Sequence, residues 1–230
     1  FPMGMFAVAS LSLGEADAML TGTTRPFSQS LTPVRPVIDD EPGATPFGIN
    51  VIVSRSHTVL IADTAVTERP TAEQYAAIAM RASSFARRMG LDPRVAFISY
   101  TTFGNPPGMH IEGLREAVKL LDGFHVDFEY EGEMAPDVAL NYDYQCQYYP
   151  FSRLSGPANI LIMPGLQSAS LSAKLLRSLG GESVLGPYIL GLEHPVQIAP
   201  MTASASDLVM LAVLAGGDAH ARAQREAARV

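Results

Sequence analysis

The 230-residue sequence predicts an α/β protein whose mostly parallel sheet carries helices on both faces. Short apolar runs suited to buried strands recur along the chain, segments of helical period separate them, and Gly or Pro stands at most of the junctions. Ala16 to Leu20 reads as a short buried strand that opens into a small-residue turn, Thr21 to Thr24. A Pro-punctuated stretch follows (Pro26, Pro33, Pro36, Pro42, Pro46). Ile49, Val51 and Val53 then stand at alternate positions, and Val59 to Ala62 answers them across a polar turn, which is a hairpin pattern.

From Thr71 a helix is well marked. Thr71 and Gln74 have the spacing of a capping box, and Tyr75, Ile78, Ala79, Ala82, Phe85, Ala86 and Met89 recur at helical intervals. Arg87 and Arg88 suit its last turn and Gly90 its end. Val95 to Ile98 predicts a buried strand, and Ile111, Leu114, Val118 and Leu121 the next helix. Val126, Phe128 and Tyr130 alternate with Asp127, Glu129 and Glu131, so this strand is expected to bury its apolar side only and to lie near a sheet edge. Ile160 to Met163 predicts another strand, with a helix from about Gln167 to Leu179 ended by Gly180 and Gly181. Pro195 to Ile198 leads to a helix from about Ser204, with fraying expected after Gly216.

Composition excludes several classes of function. With 47% hydrophobic and 17% charged residues the chain is globular, not disordered. A net charge of -7, with 16 Lys and Arg spread along the chain, argues against nucleic-acid binding. The single cysteine, Cys146, permits no internal disulfide and fits a reducing, cytoplasmic setting. The apolar start lacks a basic leader, so neither a signal peptide nor a membrane span is expected. It reads as a chain entered in mid-domain.

Signals for catalysis are weak. His57, His110, His125, His194 and His220 include no pair at i, i+4, so no histidine metal site is expected. Neither a GxGxxG nor a P-loop is present, and Ser99, Ser152 and Ser155 lack a nucleophile-elbow context. Cys146 has no adjacent base and reads as a passive thiol. Hydroxyls and amides around Gly22 could hold an acyl or phosphate oxygen, although a polar turn explains them equally well. Ser204 and Asp207 have the spacing of a helix N-terminus, which by itself accounts for both.

Several segments in fixed order resemble phosphate acetyltransferases: GEADAMLTGTT from Gly14, IADTAVTERPTAEQYAAIA from Ile61, PRVAFIS from Pro93, SGPANILIMP from Ser155 and LGPYILGLEHPV from Leu185. Within that family the chain is most similar to the C-terminal domain of bacterial multidomain NADP-dependent malic enzymes. The resemblance implies a two-lobed fold, with 1–30 and 187–230 in an outer lobe whose upstream part is missing and 31–186 as an inserted lobe. It also implies an acetyl-CoA cleft between the lobes. Thr21, Gly22, Thr23, Thr24 and Arg25 align with the family's phosphate turn.

Active members of the family carry Ser-Arg-Gly-x-Ser-x-x-Asp before the terminal helix. Here the stretch runs Pro200, Met201, Thr202, Ala203, Ser204, Ala205, Ser206, Asp207. The last serine and the aspartate that serves the family as general base survive, but the first serine and the arginine do not. A fixed guanidinium is the natural partner for an incoming phosphate and a developing oxyanion, and loss of one such donor costs about 100- to 1000-fold in rate. The family's CoA-holding arginine falls at Ser178, with Arg177 one residue before it and Lys174 matching.

The resemblance therefore implies a degenerate site, with Ser204 and Asp207 as remnants. Acetyl-CoA is expected as an effector, bound by some of Thr21, Gly22, Thr23, Thr24, Arg25, Lys174, Arg177, Met201, Ser204 and Asp207. It would act on a malic enzyme unit of the same chain, with NADP and a divalent metal confined to that unit, and a homo-oligomer is expected. The alternatives are an active acetyltransferase that recruits Arg25 or Lys174, and a purely structural oligomerisation domain.

Overall fold

The computed structural model describes residues 3–55, 57–107, 111–180 and 183–227. His110 and Gly181, named above, lie outside them. The chain forms two compact units, one of residues 1–48 with 185–230 and the other of residues 49–184. Residues 31–48, assigned from sequence to the inserted lobe, fall in the first unit. Val34 and Ile38 pack there with Val8, Leu11, Met19, Ile189, Val196 and Ile198.

The first unit opens with helix α1 (Met3–Ser12), strand β1 (Met19–Gly22) and the short helix α2 (Phe27–Leu31). The sequence reading did not register α1, because ten residues without a charge give almost no amphipathic signal. Strand β1 begins later than Ala16, since the turn after α1 extends to residue 18.

Strands β2 (Phe47–Val53) and β3 (Thr58–Ala62) form the expected hairpin, antiparallel from Ile49–Ala62 to Val53–Thr58. Helix α3 (Ala72–Arg88) starts at Thr71 with both capping-box bonds, Gln74 N to Thr71 Oγ1 (3.3 Å) and Thr71 N to Gln74 Oε1 (2.9 Å). Strand β4 (Arg94–Ile98), helix α4 (Glu112–Phe124) and strand β5 (Glu129–Met134) follow, then helices α5 (Pro136–Leu140) and α6 (Tyr142–Tyr148). Strand β6 (Ile160–Ile162), helix α7 (Leu166–Leu179) and strand β7 (Ser183–Leu190) lead back to the first unit. That unit closes with strand β8 (Val196–Ala199) and helix α8 (Ala205–Ala227).

The larger sheet has the order β5-β4-β6-β3-β2-β7, with β5–β4, β4–β6 and β6–β3 parallel. On one face Ile61, Ala96, Ile98 and Leu161 pack with Val138 and Ala139 of α5 and Ala169 of α7. The alternate residues Leu60, Val95, Phe97, Ile160 and Ile162 are buried toward the other face, where α3 and α4 pack. In the first unit β1 and β8 form a parallel pair from Met19–Val196 to Gly22–Ala199. Buried Gln197 extends this pair, since its side-chain oxygen accepts from Ile189 N and its amide donates to Ile189 O, both at 2.9 Å.

Two expectations need correction. Helix α8 runs through Gly216 and Gly217 to Ala227, and Arg222 Nη1 donates to Glu193 O (3.0 Å), so the tail holds its helix well past the glycines. Strand β5 is at the sheet edge as expected, but it buries its acids. Glu131 and Glu133 are 7% and 1% exposed. Glu131 is held by Arg153 Nε (3.1 Å), and Glu133 accepts from Arg115 Nε (2.7 Å), Gly104 N (2.8 Å) and Thr101 Oγ1 (3.0 Å). A buried carboxylate needs this degree of pairing.

Burial works to raise the Glu133 pKa, but the bonds from Arg115, Gly104 and Thr101 outweigh it and hold the group below its ordinary value of 4.5. The folded state therefore gains stability that is complete above pH 4.5 and is lost as the pH falls below it toward the folded pKa. Glu133→Gln should lower stability by about 1–3 kcal/mol at pH 7. It should also flatten the loss of stability as the pH falls below 4.5, both measured by urea unfolding.

Candidate functional site

Thr21 to Arg25 take their shape from the end of the β1–β8 pair. Gly22 has φ 116°, and a Cβ there would lie 2.1 Å from the Ala199 carbonyl oxygen and 2.8 Å from Ala199 N. Only glycine allows that approach. The chain then turns through Thr23, a non-glycine residue at φ 66°. Thr23 N donates to Ala199 O (3.2 Å) and Thr24 N to Gly22 O (2.9 Å), so these two amides are consumed by the turn. The groups left to meet a ligand are the threonine hydroxyls and the exposed Arg25 guanidinium.

A cavity of about 410 Å³ lies against this turn and is lined by Thr21 to Arg25, Gln29 and Ser30 of α2, Gly4 and Leu208 among others. Its volume is in the range of small-ligand pockets. Sequence reasoning found the threonines and Arg25 but not Gln29 or Ser30. The hydroxyl-rich Ser28-Gln29-Ser30 run after Pro26 and Phe27 was the available signal.

At the start of α8, Ser204 and Asp207 satisfy each other. Asp207 Oδ2 accepts from Ser204 N and from Ser204 Oγ, both at 2.8 Å, and Asp207 N donates to Ser204 Oγ (3.2 Å). This is a reciprocal capping box with aspartate in the third position of the helix. Burial pushes the phenol of Tyr188 up to about 12, and the Asp207 charge adds to the shift. Met201, 60% exposed, presents a thioether to solvent in the preceding loop.

The remaining candidates belong to the 49–184 unit. Lys174 is exposed on α7, whereas Arg177 Nη2 donates to Val184 O of β7 (2.7 Å). The structure thus gathers Thr21 to Arg25 around one cavity, engages Ser204 and Asp207 in a helix cap, and gives Arg177 a structural bond. Among the described residues no group of three His, Cys, Asp or Glu side chains could hold a metal ion, and no helix is long and apolar enough to cross a membrane.

Residues 3–216 match the phosphate acetyl/butaryl transferase family, to which the chain belongs. It is similar to the NADP-dependent malic enzyme of Rhizobium meliloti strain 1021, at 52% identity over 93% of this chain and 28% of that protein. It is also similar to the phosphate acetyltransferase of Clostridium acetobutylicum, at 28% identity over 89% of this chain and 64% of that protein. A crystal structure of a phosphotransacetylase from Streptococcus pyogenes superposes with a TM-score of 0.87 at 28% identity, covering 94% of this chain and 67% of that one. The chain spans less than a third of the length of the malic enzyme it matches.

Because an added Cβ at Gly22 would strike the Ala199 backbone, Gly22→Ala should destabilise the protein by more than about 2 kcal/mol. A urea midpoint unchanged from the parent would refute the constraint.

Proposed function

We propose that this chain is a catalytically degenerate phosphate acetyltransferase-like module that binds acetyl-CoA and regulates an NADP-dependent malic enzyme unit in the same protein. The observation that carries the reading is the state of the two ends of the family's catalytic stretch. Asp207 is engaged twice by Ser204, and Met201, where the family pattern has arginine, offers neither charge nor donor. The turn around Gly22 and the cavity beside it are nevertheless built, with hydroxyls and Arg25 facing a ligand-sized space. A pocket without its electrophilic stabiliser can bind a thioester without turning it over.

The similarity to malic enzymes supports the regulatory half of the proposal. NADP and a divalent metal would belong to the malic enzyme unit, which oxidatively decarboxylates malate to pyruvate. Acetyl-CoA lies downstream of pyruvate, so the expected sign is inhibition. Two sites and a differential affinity are all that such coupling requires. A homo-oligomer is part of the same proposal.

Calorimetric titration of the intact protein with acetyl-CoA, run beside an assay of acetyl phosphate formation, should show binding without turnover. Turnover at the rate of an active homologue would sink the reading. Met201→Arg with Pro200→Ser should not by itself restore full activity, because Ser178 still stands at the family's CoA-holding arginine position. Arg25→Ala and Lys174→Ala should each weaken acetyl-CoA binding by about 1–3 kcal/mol if they pair with its phosphates. Arg177→Ala should do the same and should also cost stability through the bond to Val184. Inhibition of malate-dependent NADPH formation should weaken in parallel with binding, while basal activity holds.

A further inference from the structure

In the 49–184 unit the chain's connections part at the neighbouring parallel strands β3 and β6. From β3 the chain passes through α3 to β4, beyond β6. From β6 it leaves through α7 toward β7 at the opposite edge. Helix α7 packs on one face of the sheet and α3 on the other. In open α/β sheets, ligands bind outside the carboxyl ends of two strands that diverge in this way.

At those ends the structure leaves donors unused. The Asp63 carboxylate folds the turn after β3 by accepting from Ala65 N (2.9 Å), Val66 N (3.1 Å) and Thr67 N (2.6 Å). Inside this turn Thr64 is 7% exposed, and its hydroxyl has no hydrogen-bond partner among the described residues. A buried hydroxyl without a partner is costly, and such groups mark places where something else completes the bond.

Helix α7, of 14 residues, begins beside this turn. Ala62 pairs with Ile162, and Met163 N donates to Ala62 O (2.7 Å), so the two chain segments leave the sheet together. Gly165, at φ 155°, admits backbone contact between them, since a Cβ there would lie 2.7 Å from Glu68 O. Leu166 N donates to Glu68 O (3.2 Å), but no side chain caps the helix. The amides of Gln167 and Ser168 have no acceptor among the described residues. First-turn amides are oriented anion donors. Of the acids in this turn, Asp63 has its carboxylate held by three N–H groups, and Glu68, whose carbonyl accepts from Leu166 N, is exposed.

We propose that the carboxyl end of β3 and the first turn of α7 form an oxyanion subsite. It takes one phosphate or carboxylate group of a small molecule, with Thr64 Oγ1 and the amides of Gln167 and Ser168 as donors. The subsite lies within one unit and does not depend on the acetyl-CoA reading.

The test is thermal unfolding and calorimetry of the intact protein with inorganic phosphate or acetate replacing chloride at constant ionic strength, which fixes charge screening, while the general stabilisation by excluded anions does not saturate and is shared by every variant. The parent should show a saturable rise in melting temperature with at least one of the two anions. Thr64→Val removes the unpartnered hydroxyl at constant shape. It should melt in chloride at or above the parent's temperature yet bind the anion about tenfold more weakly. Ser168→Asp places an acid where the helix dipole favours it, and should likewise keep the fold while losing the anion. The proposal is overturned if the parent gives no saturable response to either anion. It is equally overturned if both variants melt cooperatively and bind as the parent does. A response lost in Arg25→Ala but retained in Thr64→Val and Ser168→Asp would place the anion at the Thr21 to Arg25 turn and also overturn it. Failure of acetyl-CoA binding alone would leave these anion measurements unchanged, so the two readings fail separately.

Discussion

The approach of two backbones at Gly22 governs the 1–48 and 185–230 unit. Among the described residues β1 and β8 form a two-stranded parallel sheet of their own, and two strands alone are marginal without packing on their faces. Helices α1, α2 and α8 supply that packing. The pair can close to its last residue only because Gly22 brings no Cβ against Ala199. That closure sets Thr23 at positive φ, consumes the amides of Thr23 and Thr24, and leaves hydroxyls and Arg25 at the cavity. What this turn can offer a ligand is thus decided by the strand pairing beneath it.

Much of the architecture was legible wherever a local rule acted alone. The Thr71–Gln74 capping box, the hairpin of β2 and β3 and the runs that became β4, β6 and α7 followed from spacing and composition. The failures came where tertiary partners overrode the pattern. In β5, alternation alone puts the acids outward, but Arg115, Thr101 and Arg153 meet Glu131 and Glu133 inside. Nothing within the strand's own residues signals those arginines, which are distant in sequence. Helix α1 was invisible for the opposite reason, since its pattern contains too little polarity to mark a face. The glycines at 216 and 217 suggested an end to α8, but an isolated propensity cost of about 1 kcal/mol per glycine is small beside a long helix docked on its unit.

For the candidate site, sequence reading identified residue types but not their occupations. Thr21 to Arg25 were found because the turn chemistry is local. The involvement of α2 depends on how it packs beside β1, which no local pattern encodes. Arg177, one residue before the family's CoA-holding position, was a candidate for a CoA phosphate, and only the fold reveals its bond to Val184 O. Thr64 is the converse case. A threonine in a turn after a strand is unremarkable in sequence, and becomes informative only when burial and the absence of a described partner are seen together.

These occupations bear on how a family motif should be weighed. Gly22, Ser204 and Asp207 each have structural work in this chain: one permits strand closure and the other two cap α8. Replacing any of them would cost the fold, whatever the site does, so their presence says little about catalysis. The Met201 side chain is exposed and carries no comparable burden among the described residues, while Pro200 serves the loop through its backbone, accepting from Ala203 N (3.0 Å). A residue whose only physical role is to stabilise charge in a reaction has nothing to hold it once that reaction ceases to matter. The asymmetry is therefore what the proposed loss of chemistry would leave behind, with the structural half of the motif intact and the purely chemical half replaced.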